Sequence, residues 1–209
     1  MTQTKGQIDL EALEESELYS EALGIDLSAG SEDAYFRWFL ASQLYGGRIS
    51  GAIAEKTYRS FERHKLLTPE KIIAAGWDFL VDPVMREGSY VRYDESKSRQ
   101  LLRNCARLME DYGGQVSRIE EAAADSAELE TRLCAFHGIG PVTANIFLRE
   151  LRPFWRKADP VPLPAVVKTA EAYGIDLSAY DRKSLAFARV EAGLTRRAHH
   201  KRQVTDPAK

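Results

Sequence analysis

The chain has 209 residues, 44% hydrophobic and 29% charged, with a formal net charge of −2. That size and balance suit a globular protein of one large domain or two small ones, and no apolar run is long enough for a membrane span. The near-neutral charge argues against a protein that coats nucleic acid non-specifically, while leaving room for a local basic face. The opening MTQTKGQIDLEALEESELYSEAL is acidic and has no apolar segment, so no signal peptide is expected and the cytoplasm is the expected location, with nucleoid association if the source is bacterial. Two cysteines, Cys105 and Cys134, read as reduced thiols within helical patterns.

In chain order the signals are nearly all helical. Leu10, Leu13, Leu18 and Ala22 give residues 9–23 a weak amphipathic pattern. Ser31 is placed to cap an apolar helix that reaches Leu44 and stops at Gly46-Gly47. Ser50 opens another, with Ile53, Thr57, Tyr58 and Phe61 on one side. Thr68-Pro69-Glu70 reads as an N-cap followed by proline at the first helical position, with Gly76 as the stop. Trp77, Phe79 and Leu80 form a short apolar segment ending near Pro83. Asp94 is expected to cap a long helix over 95–112, and Gly113-Gly114 ends it. Ser126 is expected to cap a further helix with Leu129 and Leu133 inward, and helices are expected over 164–173 and 181–192. The hexapeptide GIDLSA occurs at 24–29 and again at 174–179, each time after a helix. Nothing alternates like a strand, so the expected class is all-α.

The stretch LCAFHGIGPVTANIFLR, residues 133–149, carries the strongest signal. It reads as a helix, a Gly-x-Gly turn and a second helix. Gly138 and Gly140 lack a Cβ, which permits positive φ and close backbone approach. Pro141 fits the first helical position. The second helix begins with N–H groups that have no intrahelical partner, and its positive dipole end favours an anion. Such a turn suits one DNA phosphate. A plain αα-hairpin, with glycines used only for packing, is the competing interpretation.

Phe136, Gly138-Ile139-Gly140 and Thr143-Ala144-Asn145 resemble the helix-hairpin-helix of the DNA glycosylase superfamily that includes endonuclease III and 3-methyladenine DNA glycosylase II. Leu40-Ala41-Ser42-Gln43 and the long helix between Tyr93 and Gly114 are similar to further parts of that family's helical bundle. The resemblance implies an all-α, two-lobed protein: a bundle over residues 35–152, and a second domain built from residues 1–34 with 153–209. It implies double-stranded DNA as partner, no membrane, and a monomer. Family members often hold an iron–sulfur cluster near the C-terminus; with no cysteine after Cys134, this chain is expected to lack one.

The implied activity is base-excision repair by a monofunctional DNA glycosylase, a hydrolase that cleaves the N-glycosidic bond of a damaged or mispaired base flipped from the duplex. Bifunctional members use a hairpin lysine as nucleophile; here that position is Val142, which leaves water. By position Gln43 fills the space of the flipped base, or is a polar helix C-cap; Tyr45 and Arg48 stand nearby. Gly138, Ile139, Gly140 and Thr143 are the implied phosphate contacts, and His137 is either a DNA contact or an exposed turn residue. The carbonyls of Cys134, Phe136 and Ile139 are the implied ligands of a monovalent cation. The family's carboxylate that stabilises the oxocarbenium-like sugar falls at Asp159 when counted from Gly138, but at Leu163 or Pro164 when counted on the following helix. Asp159 is therefore either catalytic or a local turn residue. With no carboxylate in place, the chain would instead be an inactive relative that binds damaged or distorted DNA. Tyr35, Trp38, Phe154 and Trp155 are available for a base pocket. Arg149, Arg152, Arg156, Lys157 and Lys168, with a terminal cluster of Arg196, Arg197, His199, His200, Lys201 and Arg202, are the candidate basic face or a solvated one.

Overall fold

The computed structural model describes residues 10–205, and side chains as far as His199. Among these residues the chain is all-α: α1 Leu10–Glu14, α2 Tyr19–Ala22, α3 Glu32–Tyr45, α4 Gly51–Arg63, α5 Pro69–Phe79, α6 Asp94–Tyr112, α7 Ser117–Glu121, α8 Ser126–Cys134, α9 Pro141–Leu151, α10 Pro164–Tyr173 and α11 Leu185–Thr205. Three of the starts follow from local chemistry. The hydroxyls of Ser31, Ser50 and Thr68 accept from the amides of Ala34, Ile53 and Lys71 and so satisfy donors that the helix cannot.

Several expectations are corrected. The helix over 9–23 is two short ones, because the amides of Tyr19 and Ser20 turn to a distant acceptor: each donates to the Glu150 carboxylate at 2.9 Å. Glu150 is wholly buried, and desolvation raises its pKa, opposed by nearby Arg149. The cap of α8 is Asp125, not Ser126, and α6 begins after Tyr93 in the left-handed region with no side-chain cap. The last helix starts later and runs further than 181–192, since nothing after Leu185 breaks it. The repeated hexapeptide builds one turn twice. Asp26 accepts from the amide and hydroxyl of Ser28 at 2.9 and 2.6 Å, and Asp176 does so from Ser178 at 2.9 and 2.7 Å.

Two apolar regions hold these elements. The larger runs from Leu23 to Ala158 and includes Trp38, Phe39, Tyr58, Phe136 and Phe147. In the smaller, Leu13 of α1 packs on Val166 and Ala170 of α10 and on Val190 and Leu194 of α11. α9 lies between them: Phe147 and Leu151 enter the larger core, while Arg149 and Arg152 turn toward α11. Tyr35, Trp38 and Trp155 are core residues rather than pocket walls. Trp38 Nε1 donates to Phe147 O at 3.0 Å, and the rings of Tyr35 and Trp155 meet edge-on. Phe154 remains exposed.

Candidate nucleic-acid interface

Between α8 and α9 the chain reverses at an exposed turn, with Phe136 and Ile139 buried beneath it. Gly138 has φ +71°, the left-handed region that an L side chain resists. Gly140 does not share that conformation: its φ is −102°, and a Cβ there would meet nothing within 4 Å. It serves as the uncapped N-terminus of α9. The amides of Gly140, Val142 and Thr143 have no acceptor among the described residues. Three unspent donors at a helix N-terminus are the chemistry an oxyanion needs. The Thr143 hydroxyl is not part of this group, because it packs on Gly46; a Cβ on that glycine would come within 2.1 Å of it. Val142 is half exposed at the tip and supplies no nucleophile.

α6 fixes the turn from below with a stripe at helical spacing: Gln100, Arg103, Asn104 and Arg107. Asn104 brackets the His137 peptide, accepting from its N–H at 2.7 Å and donating to its carbonyl at 3.0 Å. Arg103 reaches the His137 ring, and Arg107 donates to Ala135 O. The same Asn104 amide donates to Gln43 Oε1 at 2.7 Å, and Gln43 Nε2 donates to Phe39 O at 3.1 Å. Gln43 is 4% exposed, so its side chain is committed inside the protein and ties the end of α3 to the turn. The sequence marks Asn104 only by one carboxamide on the apolar side of α6 between Leu101 and Leu108. Asn104→Ala strands the His137 peptide and the Gln43 amide, and is expected to cost about 1–3 kcal/mol by chemical denaturation. A loss below about 0.5 kcal/mol would show that the bracket does not hold the turn.

The carbonyls of Cys134, Phe136 and Ile139 follow one another along this reversal of the chain. Phe136 O already accepts from Ile139 N at 3.2 Å, and the Arg107 guanidinium stands 5.2 Å from the Phe136 ring as it bonds Ala135 O. The turn carries its own positive charge.

Asp159 lies on the loop that follows α9. Its Oδ1 accepts from Arg152 Nη1 at 2.6 Å and from Arg182 Nε at 3.0 Å. Arg152 follows the C-terminus of α9, so the length of that helix, roughly 16 Å, separates its backbone from the turn. Asn145 Nδ2 holds Val161 O at 2.7 Å, which fixes the loop carrying Asp159 along α9. Arg152 also bonds Glu191 at 2.9 Å, both side chains being fully buried. Arg149, likewise buried, donates to Thr195 and lies over the Tyr19 ring. These two arginines therefore leave the expected basic face. Lys157 is spent on Glu120 O, and Arg196 on Glu17 O and the Tyr19 ring. The side chains of His200, Lys201 and Arg202 lie outside the described residues.

Lys97, on the first turns of α6, is 8% exposed and donates to Gln43 O at 3.1 Å. Burial lowers its pKa from 10.5 to about 8. Between those values the unfolded chain holds a proton that the folded one has lost, so this group makes stability rise with pH across that window. Relative to Lys97→Met, wild type should gain on the order of 3 kcal/mol from pH 8 to 10.5, measured as the difference between their urea unfolding free energies. A pH-independent difference would place the ammonium in water.

Among the described residues no helix is long and apolar enough to cross a membrane. No family model and no curated protein matches the sequence. A solved structure described as "Structure of a Trapped Endonuclease III-DNA Covalent Intermediate: Estranged-Adenine Complex" is similar over 74% of this chain and 70% of its own, at 19% identity and a TM-score of 0.46.

Proposed function

We propose that this chain binds double-stranded DNA in base repair, seating a backbone phosphate on the turn between α8 and α9. The observation that carries this reading is the set of unspent amides at Gly140, Val142 and Thr143 on an exposed turn held rigid by α6. Phosphate contacts of this kind position a protein without reading sequence. Binding of a fluorescent 20-mer duplex, with and without a single lesion, is the test: measurable affinity is expected, and no binding at low salt would end the reading. On the same reading the chain is a monomer divided into a bundle at 35–152 and a second unit of 1–34 with 153–209.

One observation favours a second, enzymatic reading as a monofunctional DNA glycosylase. Both guanidinium bonds fall on Asp159 Oδ1, and the side chain is 34% exposed, so the carboxylate keeps an open side for a sugar C1′. The two arginines hold it by charge-assisted hydrogen bonds, and they also offset the negative charge it would offer. Duplexes carrying alkylated, deaminated or oxidised bases should release free base with wild type and not with Asp159→Asn. Binding without any base release removes this second reading and leaves the first standing.

A further inference from the structure

A cavity of about 390 Å³ opens beside the hairpin turn. Its walls come from three places far apart in sequence: Gly46, Gly47 and Arg48 after α3, Tyr90 and Tyr93 ahead of α6 with Ser96, Lys97 and Gln100 on it, and Gly138. The polar side chains around it can all donate. Tyr90 is 2% exposed, yet its hydroxyl has no partner among the described residues, and it lines the cavity. A buried phenol ordinarily finds a hydrogen-bond partner. Lys97 spends one of its three N–H groups on Gln43 O and has two left. Arg48 makes no ion pair or hydrogen bond among the described residues, and neither does the Gln100 amide, which lies against Gly138. No carboxylate lines the space. The glycines keep it open: a Cβ on Gly47 would come within 2.8 Å of the Tyr90 hydroxyl.

Two cationic side chains beside a phenol and a carboxamide repel a metal ion and leave an apolar guest with stranded donors. They match an oxyanion. The space exceeds what one phosphate group fills. At its rim Tyr93 is half exposed and held at φ +69°, which presents its ring beside the cavity. Aromatic faces of this kind stack on sugars and bases.

We infer that this cavity is a second phosphate seat, taking one nucleotide of a nucleic-acid strand, with its phosphate between Arg48, Lys97 and Tyr90 and its base against Tyr93. The inference deepens the DNA-binding reading and rests on it for the source of the phosphate. It makes the turn and the cavity two adjacent contacts on one strand, with α6 beneath both.

The test uses the thymidine dinucleotide TpT, thymidine and inorganic phosphate, followed by amide NMR shifts of the whole chain. TpT should move the signals of Tyr90 to Gln100; thymidine should not, and inorganic phosphate should do so only at higher concentration. Arg48→Gln should weaken the TpT effect at Tyr90 to Gln100 about tenfold, the equivalent of one charge-assisted hydrogen bond, while leaving shifts at Gly140 to Thr143 in place. Tyr90→Phe keeps the buried ring and should weaken TpT with an unchanged melting temperature. Inorganic phosphate binding as tightly as TpT would overturn the nucleotide assignment. Duplex binding with no TpT shift at Tyr90 to Gln100 would overturn the seat and spare the DNA-binding reading. TpT bound there with no duplex binding would spare the seat and overturn that reading.

Discussion

Gly138→Val is expected to weaken duplex binding at least about tenfold while the protein stays folded. At φ +71° a β-branched residue is strained by about 1–3 kcal/mol, and the new Cβ would lie 2.5 Å from Gln100 Oε1. The turn must relax, and the amides of Gly140, Val142 and Thr143 move with it. A shift of about 1.4 kcal/mol in the bound state is already tenfold in affinity. Gly140→Ala is the control, since its φ is −102° and nothing lies near a Cβ there. It should fold as wild type does, with any loss of affinity coming only from a methyl group in front of the amides. Fluorescence anisotropy with a labelled duplex reads both variants. Equal affinity for Gly138→Val and wild type, with a native spectrum, would remove the turn from the interface.

Arg152→Leu is expected to be the most destabilising single change in the ion network, by about 3–5 kcal/mol. Arg152 holds Glu191 through two N–H groups at 2.9 and 3.2 Å, and both side chains are inaccessible to water. It also holds Pro160 O and Asp159 and thereby the loop after α9. Without it, Glu191 is an unpaired buried carboxylate, and its Oε1 already lacks a partner. For a chain of this size the melting temperature should fall on the order of 10 °C. Asp159→Asn should cost no more than about 1–2 kcal/mol, because the carboxylate is partly solvated and Arg182 is exposed. The double variant Arg152→Leu with Glu191→Leu should recover much of the loss, as buried ion pairs often yield to apolar pairs of similar volume. A melting temperature within 2 °C of wild type for Arg152→Leu would mean that Glu191 finds water or another partner.

The helices were legible because their starts are written locally. Ser31, Ser50 and Thr68 each sit before an apolar period, and the caps form as that pattern requires. The hairpin was legible for the same reason, its glycine, proline and apolar spacing being a short-range code. Long-range polar contacts were not. Glu150 caps α2 across 130 residues, and no local pattern announces that. Arg149 and Arg152 read as a surface charge run, yet their spacing of three puts both on the face of α9 that meets α11. Gln43 reads from the sequence as the end of α3, but its burial depends on Asn104, which only the packing of α6 against the turn brings near. The offset of Asp159 from Gly138 gave its distance along the chain and not its partners, and the partners decide what its charge can do.

Duplex affinity as a function of salt, measured by anisotropy on the wild-type chain, bears on the seat at the turn and its neighbour together. Two phosphates neutralised or held by donors should give a plot of log K against log salt with a slope steeper than about −1, and Gly138→Val and Arg48→Gln should each flatten or lower it. Affinity that does not change with salt, or no binding at all, would show that the uncapped amides of α9 face no nucleic-acid backbone.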